Sequence, residues 1–163
     1  MTTAIDFNFR NELIKDNFSL SHCYQCGTCS GACPVALITK GTFNPRKIIE
    51  ESVIGLSDQL IKSQEPNVWL CTTCQLCVEL CPQDVLLTEI FDILKNKCIE
   101  TGNYPEGYKS QGTMILESGM AVPFSPAILR RREQLGIPKL EMAKVSEIQT
   151  LLKETQLAKK ISK

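Results

Sequence analysis

Eight of the nine cysteines fall into two copies of one pattern, Cys23-x-x-Cys26-x-x-Cys29-x-x-x-Cys33-Pro34 and Cys71-x-x-Cys74-x-x-Cys77-x-x-x-Cys81-Pro82. Thiols three residues apart cannot all face one way on a straight helix, but on a tight loop they can converge on one small object. The fourth thiol, four residues on and followed by proline, points elsewhere. Soft thiolates in this run are ligands of a cubane [4Fe–4S] cluster, the fourth cysteine serving the cluster of the other copy. Two copies supply enough thiolates for two four-ligand clusters with none missing. The expected quartets are Cys23, Cys26, Cys29 with Cys81, and Cys71, Cys74, Cys77 with Cys33. The proline after each fourth cysteine is expected to start a helix leading away from its own loop, and pseudo-twofold packing then carries that thiol to the neighbouring cluster.

Structural zinc also takes four cysteines, but its usual signature is two separated C-x-x-C pairs. A zinc or interaction module stays as the alternative chemistry. Disulfides suit exported domains, and the N-terminus, with Asp6, Arg10 and Glu12 among its apolar residues, lacks the apolar stretch of a signal peptide. A fully cysteine-ligated iron has no open position, which argues against radical chemistry with S-adenosylmethionine. There is no phosphate loop and no nucleophile motif, so an electron relay is expected and no catalytic residue is assigned. His22, the only histidine, is expected to be exposed or to hydrogen-bond a cluster sulfur, since each cluster already has four cysteines. Cys98, the unpaired ninth cysteine, falls on an apolar helix face and reads as a buried thiol. Gly27 and Gly31 would let the backbone approach inorganic sulfide, where amide donors raise the potential.

The formal net charge is zero, which suggests neither nucleic acid nor a membrane surface globally. Its distribution is uneven. Residues 1–124 hold 9 Lys/Arg against 14 Asp/Glu, and residues 125–163 hold 9 against 4. No apolar run is long enough to span a bilayer, for which about 18 residues are needed. Nine cysteines without an export signal imply a reducing cytoplasm.

The elements that must position the thiols read as helical throughout. A short helix is expected over residues 8–16, with Phe9, Leu13, Asn17 and Phe18 near one face, then Val35–Ile38 after the first motif. Asn44 and Pro45 supply an N-cap and first helical position, and Ile49, Val53, Leu56 and Leu60 form one apolar stripe that Gly55 divides. In small ferredoxins of the β-sheet type the linker between motifs is shorter and strand-like. Here the 37 residues between Cys33 and Cys71 read as helix, so the fold class is all-α, an α-helical ferredoxin-like domain. Trp69 is expected in the core. Asp84 is expected to cap a helix through Thr101 with Leu87, Ile90, Phe91, Leu94 and Cys98 inward, ended by Gly102. Residues 103–125 read as an extended connection, and Val145–Ile161 as a last helix with Ile148, Leu151, Leu152 and Leu157 on one face. The expected organisation is an N-terminal arm (1–20), the cluster domain (21–107) and a C-terminal docking extension (108–163).

At Cys23-Tyr24-Gln25-Cys26-Gly27-Thr28-Cys29-Ser30-Gly31-Ala32-Cys33-Pro34 the chain resembles the C subunit of heterodisulfide reductase. The resemblance continues through Asn44-Pro45-Arg46, Gly55-Leu56, Trp69-Leu70-Cys71-Thr72-Thr73-Cys74 and Tyr104-Pro105-Glu106-Gly107, and more loosely over Gly119–Pro138. It implies an electron-transfer component of a cytoplasmic complex of methanogenesis. Its partners would be the heterodisulfide reductase A subunit, carrying flavin and iron–sulfur clusters, and the B subunit, which holds the catalytic site for the disulfide of coenzyme M and coenzyme B. The paired Cys-Cys-Gly signature of that catalytic subunit does not occur here, so disulfide cleavage is not expected on this chain. The same helical module also resembles iron–sulfur subunits of succinate dehydrogenase, of anaerobic glycerol-3-phosphate dehydrogenase and of heterodisulfide-reductase-like complexes of sulfur metabolism.

Overall fold

Asp6 opens the first helix by accepting the Phe9 amide on Oδ1 (3.0 Å), satisfying one of the unpaired donors of a helix start. In the computed structural model, which describes residues 4–122, 124–140 and 144–161, this helix is α1, Phe7–Asp16, and it buries Phe9 and Leu13. The described residues form helices and helical turns with no strand among them, in two units, one up to Asn103 and one from Tyr104.

In the first unit α1 runs into a 3-10 turn, Phe18–His22, which buries Leu20. Three contacts fasten this N-terminal stretch to the helix α6, Leu87–Thr101. Lys97 Nζ lies 2.8 Å from Glu12 Oε2, Asn17 Nδ2 donates to Glu89 Oε2 at 2.9 Å, and Ser19 Oγ accepts the Leu86 amide at 2.9 Å. Leu13 and Leu20 are fully enclosed, whereas Phe18, expected on the same face, is 67% exposed.

Two one-turn helices, α2 (Thr28–Gly31) and α3 (Pro34–Ile38), precede α4, Pro45–Ile54. Asn44 caps α4 by accepting the Lys47 amide (3.0 Å), and Gly55 ends it in the left-handed region, φ +91°. The buried face is Pro45, Ile48, Ile49, Glu51 and Ser52. Of the expected stripe only Ile49 and Leu60 are buried, Leu60 in the π-helical segment Asp58–Ser63. The difference is physical: α1, α2 and the Phe18–His22 turn all pack on α4, so the covered face follows those neighbours.

Helix α6 buries Leu87, Ile90, Phe91, Leu94 and Cys98 and stops at Gly102, as the sequence leads one to expect. Phe91 meets Phe43 edge-on at 5.9 Å. Asp84 does not cap it. Asp84 sits at φ +51° in a turn after Pro82, and the helix begins at Leu87.

The second unit corrects the expected extended connection. Residues Glu106–Ser118 form a helix, α7, followed by α8 (Pro126–Gln134), α9 (Val145–Glu154) and α10 (Leu157–Ile161). The expected single last helix breaks at Gln156, φ +58°. Gln149 Nε2 donates to Leu116 O (3.0 Å), and Tyr104 Oη to Lys160 O (3.3 Å). Helix α8 buries none of its side chains, and Leu151, expected on the inner face of α9, is exposed. Among the described residues, no helix is long and apolar enough to cross a membrane.

Candidate metal-cluster site

The two cysteine loops share one backbone plan. Each enters from a 3-10 turn, Phe18–His22 or Val68–Leu70, and leaves into a single helical turn, α2 or α5 (Leu76–Glu79). The third and fifth loop positions are left-handed in both: Gln25 (φ 65°) and Gly27 (φ 85°), then Thr73 (φ 55°) and Gln75 (φ 67°). Left-handed residues reverse the chain between successive thiols, which keeps all three on the inside of the loop. Gly27 uses its glycine for this backbone, whereas Gly31 has an ordinary φ and open space beside it. Helices α2 and α5 pack against each other, bringing the loops side by side.

Between them lie two cavities. Cys23, Cys26, Cys29 and Cys81 line the first, an empty volume of about 370 Å³ counting its open side, with Ile49, Val85 and Leu87 among its apolar walls. Cys33, Cys71, Cys74 and Cys77 line the second, about 300 Å³, with Val35, Phe43, Leu76 and Phe91. Each fourth cysteine thus stands among the three of the other motif. Pro34 opens α3 after Cys33, as expected of a proline-terminated cysteine, but Cys81-Pro82 leads into a turn instead. Among the described residues, no three His, Cys, Asp or Glu side chains converge on one point as a single metal ion requires. The thiols are distributed round cavity walls.

Burial favours the protonated form of Cys23, Cys29, Cys71 and Cys77 in the absence of metal. Desolvation, then the thiolates of Cys71, Cys29, Cys33 and Cys74, push Cys77 up to about 12. Burial likewise raises Cys23, Cys29 and Cys71, while hydrogen bonds from Thr28 lower Cys26. Binding metal therefore displaces protons, and the binding free energy supports the fold. The donor set fits iron–sulfur chemistry: eight soft ligands in two quartets, apolar walls, and donors aimed at sulfur. Gln25 Nε2 donates to Cys23 Sγ, Val85 N to Cys81 Sγ and Thr73 N to Cys71 Sγ, each at 3.4 Å. Thr28 Oγ1 lies 3.3 Å from Cys26 Sγ.

The loops are anchored to the frame. Ser30 Oγ donates to Asn44 Oδ1 (2.7 Å) and accepts the Arg46 amide (2.9 Å), which joins α2 to the start of α4. Cys98 is 0% exposed and lines neither cavity; burial lifts its thiol to about 11. His22 packs edge-on against Phe18 at 5.3 Å and lines neither cavity, and Trp69 is buried. Sequence reasoning missed Arg46, whose side chain lines the first cavity with Nη1 3.5 Å from Gln25 Oε1. It also missed the side-chain donors Gln25 and Thr28, whose signal was their place between ligands.

A helical frame enclosing two four-thiol cavities defines the class of two-cluster iron–sulfur proteins, and residues 19–85 match the family described as a 4Fe–4S dicluster domain. The chain carries two [4Fe–4S] clusters. It is 35% identical, over 97% of its length and 90% of the relative's, to the second iron–sulfur C subunit of the CoB–CoM heterodisulfide reductase of Methanocaldococcus jannaschii. Identity is 32%, over 84% of this chain and 75% of the relative, to the C subunit of the H2:CoB–CoM heterodisulfide,ferredoxin reductase of Methanothermobacter marburgensis. It is 31%, over 90% and 78%, to the iron–sulfur C subunit of the CoB–CoM heterodisulfide reductase of Methanopyrus kandleri. The chain belongs to the family of heterodisulfide reductase C subunits.

Proposed function

We propose that this chain is the relay component of a cytoplasmic heterodisulfide reductase complex. It passes electrons from the flavin- and iron–sulfur-bearing A subunit to the catalytic B subunit, which reduces the disulfide CoM-S-S-CoB. Cys23, Cys26, Cys29 and Cys81 hold one cluster, and Cys33, Cys71, Cys74 and Cys77 the other. When bound, each cluster supplies a one-electron couple. The observation that carries this reading is the crossed lining of the two cavities. The thiolates fix the metal, the apolar walls exclude water, and Gln25, Thr28, Val85 and Thr73 place donors on ligand sulfur. Names of relatives as subunits of CoB–CoM heterodisulfide reductases support the host complex. Similarity to a protein of Archaeoglobus profundus described as like the heterodisulfide reductase C subunit, at 30% identity, favours a relay in a related complex as the second reading.

The same proposal gives residues 108–163 a docking role. This stretch holds no cysteine and its last part is basic, yet it exposes Val122, Phe124, Ile128, Leu129, Leu135, Ile137 and Leu151. Apolar surface of this kind marks an interface, here with the catalytic B subunit.

The test is anaerobic purification of the tagged chain with its complex, followed by metal analysis and paired ligand replacements. Eight irons and about eight labile sulfides are expected for two clusters of this type. Cys81→Ser should alter the same paramagnetic species as Cys26→Ser, and Cys33→Ser the same as Cys74→Ser. If Cys81→Ser instead matches Cys74→Ser, the quartets are wrong. A chain ending at Asn103 should keep both clusters and lose the complex; release of iron with retained binding would refute the docking role.

A further inference from the structure

The two cavities are built on one backbone plan but are lined by different donors. Aligning the motifs by their cysteines sets Thr28 against Leu76 and Ser30 against Val78. The first loop thus has hydroxyls where the second has hydrocarbon.

We propose that Thr28, together with Gln25, holds the cluster of the first quartet (Cys23, Cys26, Cys29, Cys81) at a higher reduction potential than that of the second, so that an electron shared by the pair rests on the first. This rests on the quartets proposed above. Potentials of such clusters follow hydrogen bonds to sulfur and solvent exposure. Both differences point one way.

Hydrogen bonds come first. Thr28 Oγ1 lies 3.3 Å from Cys26 Sγ, and a sulfur bound to iron carries no proton, so the hydroxyl must be the donor. Gln25 Nε2 reaches Cys23 Sγ and Val85 N reaches Cys81 Sγ, both at 3.4 Å. In the second quartet Thr73 N donates to Cys71 Sγ at 3.4 Å, a main-chain bond. Thr72 and Thr88 also line that cavity, but Thr72 makes no hydrogen bond to a ligand sulfur and the Thr88 hydroxyl is given to Gln75 Oε1 at 2.8 Å. Ser30 is not counted for the first quartet, because its proton goes to Asn44.

Burial is the second difference. Cys33 and Cys77 are each only 8% exposed, whereas no member of the first quartet is buried. Adding an electron adds negative charge, and a dry setting penalises it. Cations do not separate the sites. Arg46 at the first cavity is paired with Glu50 at 3.5 Å, and Lys95, which acts on Cys71, with Asp92 at 3.4 Å. Transfer from the second couple to the first oxidises one by a single electron, reduces the other by a single electron, and moves no proton.

The experiment is a redox titration of the cluster-loaded full chain, anaerobic and followed by electron paramagnetic resonance. Thr28→Val keeps the shape and removes the donor. It should lower the higher of the two midpoints by about a tenfold change in the reduction equilibrium, about 59 mV for one electron, and leave the lower midpoint in place. Thr28→Ser should restore it. Leu76→Thr, at a site 38% exposed where a polar residue is tolerated, should raise the lower midpoint. The inference is overturned if Thr28→Val moves the lower midpoint or neither, or if Leu76→Thr moves the higher one. Failure of the underlying assignment looks different: Cys81→Ser would then alter the same paramagnetic species as Cys74→Ser, whatever Thr28→Val does.

Discussion

Gly55, which ends α4, meets the start of α1 main chain against main chain. Its φ is +91°, Asp6 N donates to its carbonyl at 2.8 Å, and a Cβ built there would stand 2.5 Å from Asp6 O. Gly55→Ala therefore has two costs. The left-handed backbone costs an L-residue about 1–2 kcal/mol. The clash is with main chain, not with a flexible side-chain end, so Asp6 must move away, which forfeits that hydrogen bond, about 1 kcal/mol. It also disturbs the cap that Asp6 gives to Phe9. Less the stiffening of the unfolded chain that any Gly→Ala brings, about 2 kcal/mol in all is expected. Gly102→Ala is the control: φ is +77° with nothing within 4 Å of the added carbon. There the conformational cost is partly offset by a stiffer unfolded chain, leaving about 1 kcal/mol. Anaerobic denaturant titrations of the cluster-loaded chain, followed by cluster absorbance and helical dichroism, should show Gly55→Ala about 1 kcal/mol below Gly102→Ala, the part due to the contact. Equal losses in the two variants would refute the argument from contact.

Asn44→Ala removes a cap that serves Lys47 N and Ser30 Oγ together; about 1–2 kcal/mol should be lost, read in the same titration with iron content unchanged. Cys98→Ala should keep all iron and cost about 1–3 kcal/mol in packing. Since burial raises that thiol from 9.0 to about 11, the folded state keeps a proton that the unfolded chain releases. The wild type therefore loses stability as pH rises from about 9 to about 11, by roughly 2–3 kcal/mol, and Cys98→Ala should lack this component. A parallel pH profile in the variant would contradict it. Glu51 is buried with Oε2 unpartnered, and desolvation raises its carboxyl above the usual range despite Lys47 at 3.5 Å. Its contribution is greatest below the ordinary carboxylate pKa and is lost as pH rises through the raised value. Glu51→Gln should accordingly gain on the wild type between acid and neutral pH; a variant that loses ground at neutral pH would show that the Lys47 pair outweighs burial.

Much of the cluster frame was written locally. Three thiols in seven residues specify a loop round one object, and the repetition specifies two. Asn44-Pro45, Gly55 and Gly102 fix helix ends because caps and left-handed stops act within one turn. The stripe of α6 was legible because that helix has one strongly apolar face. What the sequence left undecided depends on neighbours distant along the chain. Helix α4 turns Ile48, Ile49 and Ser52 inward, because several partners cover it and its apolar residues do not form a single stripe. Asp84 could not act as a cap once the turn after Pro82 took it to positive φ and Ser19 accepted the Leu86 amide. Residues 106–118 look like a connection by their glycines, yet form α7, with Gly112 as its buried residue and α9 and α10 packed against it. The arrangement of the thiols is tertiary in the same sense. Each loop brings three of its own, but Cys81 reaches the first cavity and Cys33 the second only because α2 and α5 pack on one another. A spacing determines what a loop can hold, and packing between loops determines what completes it.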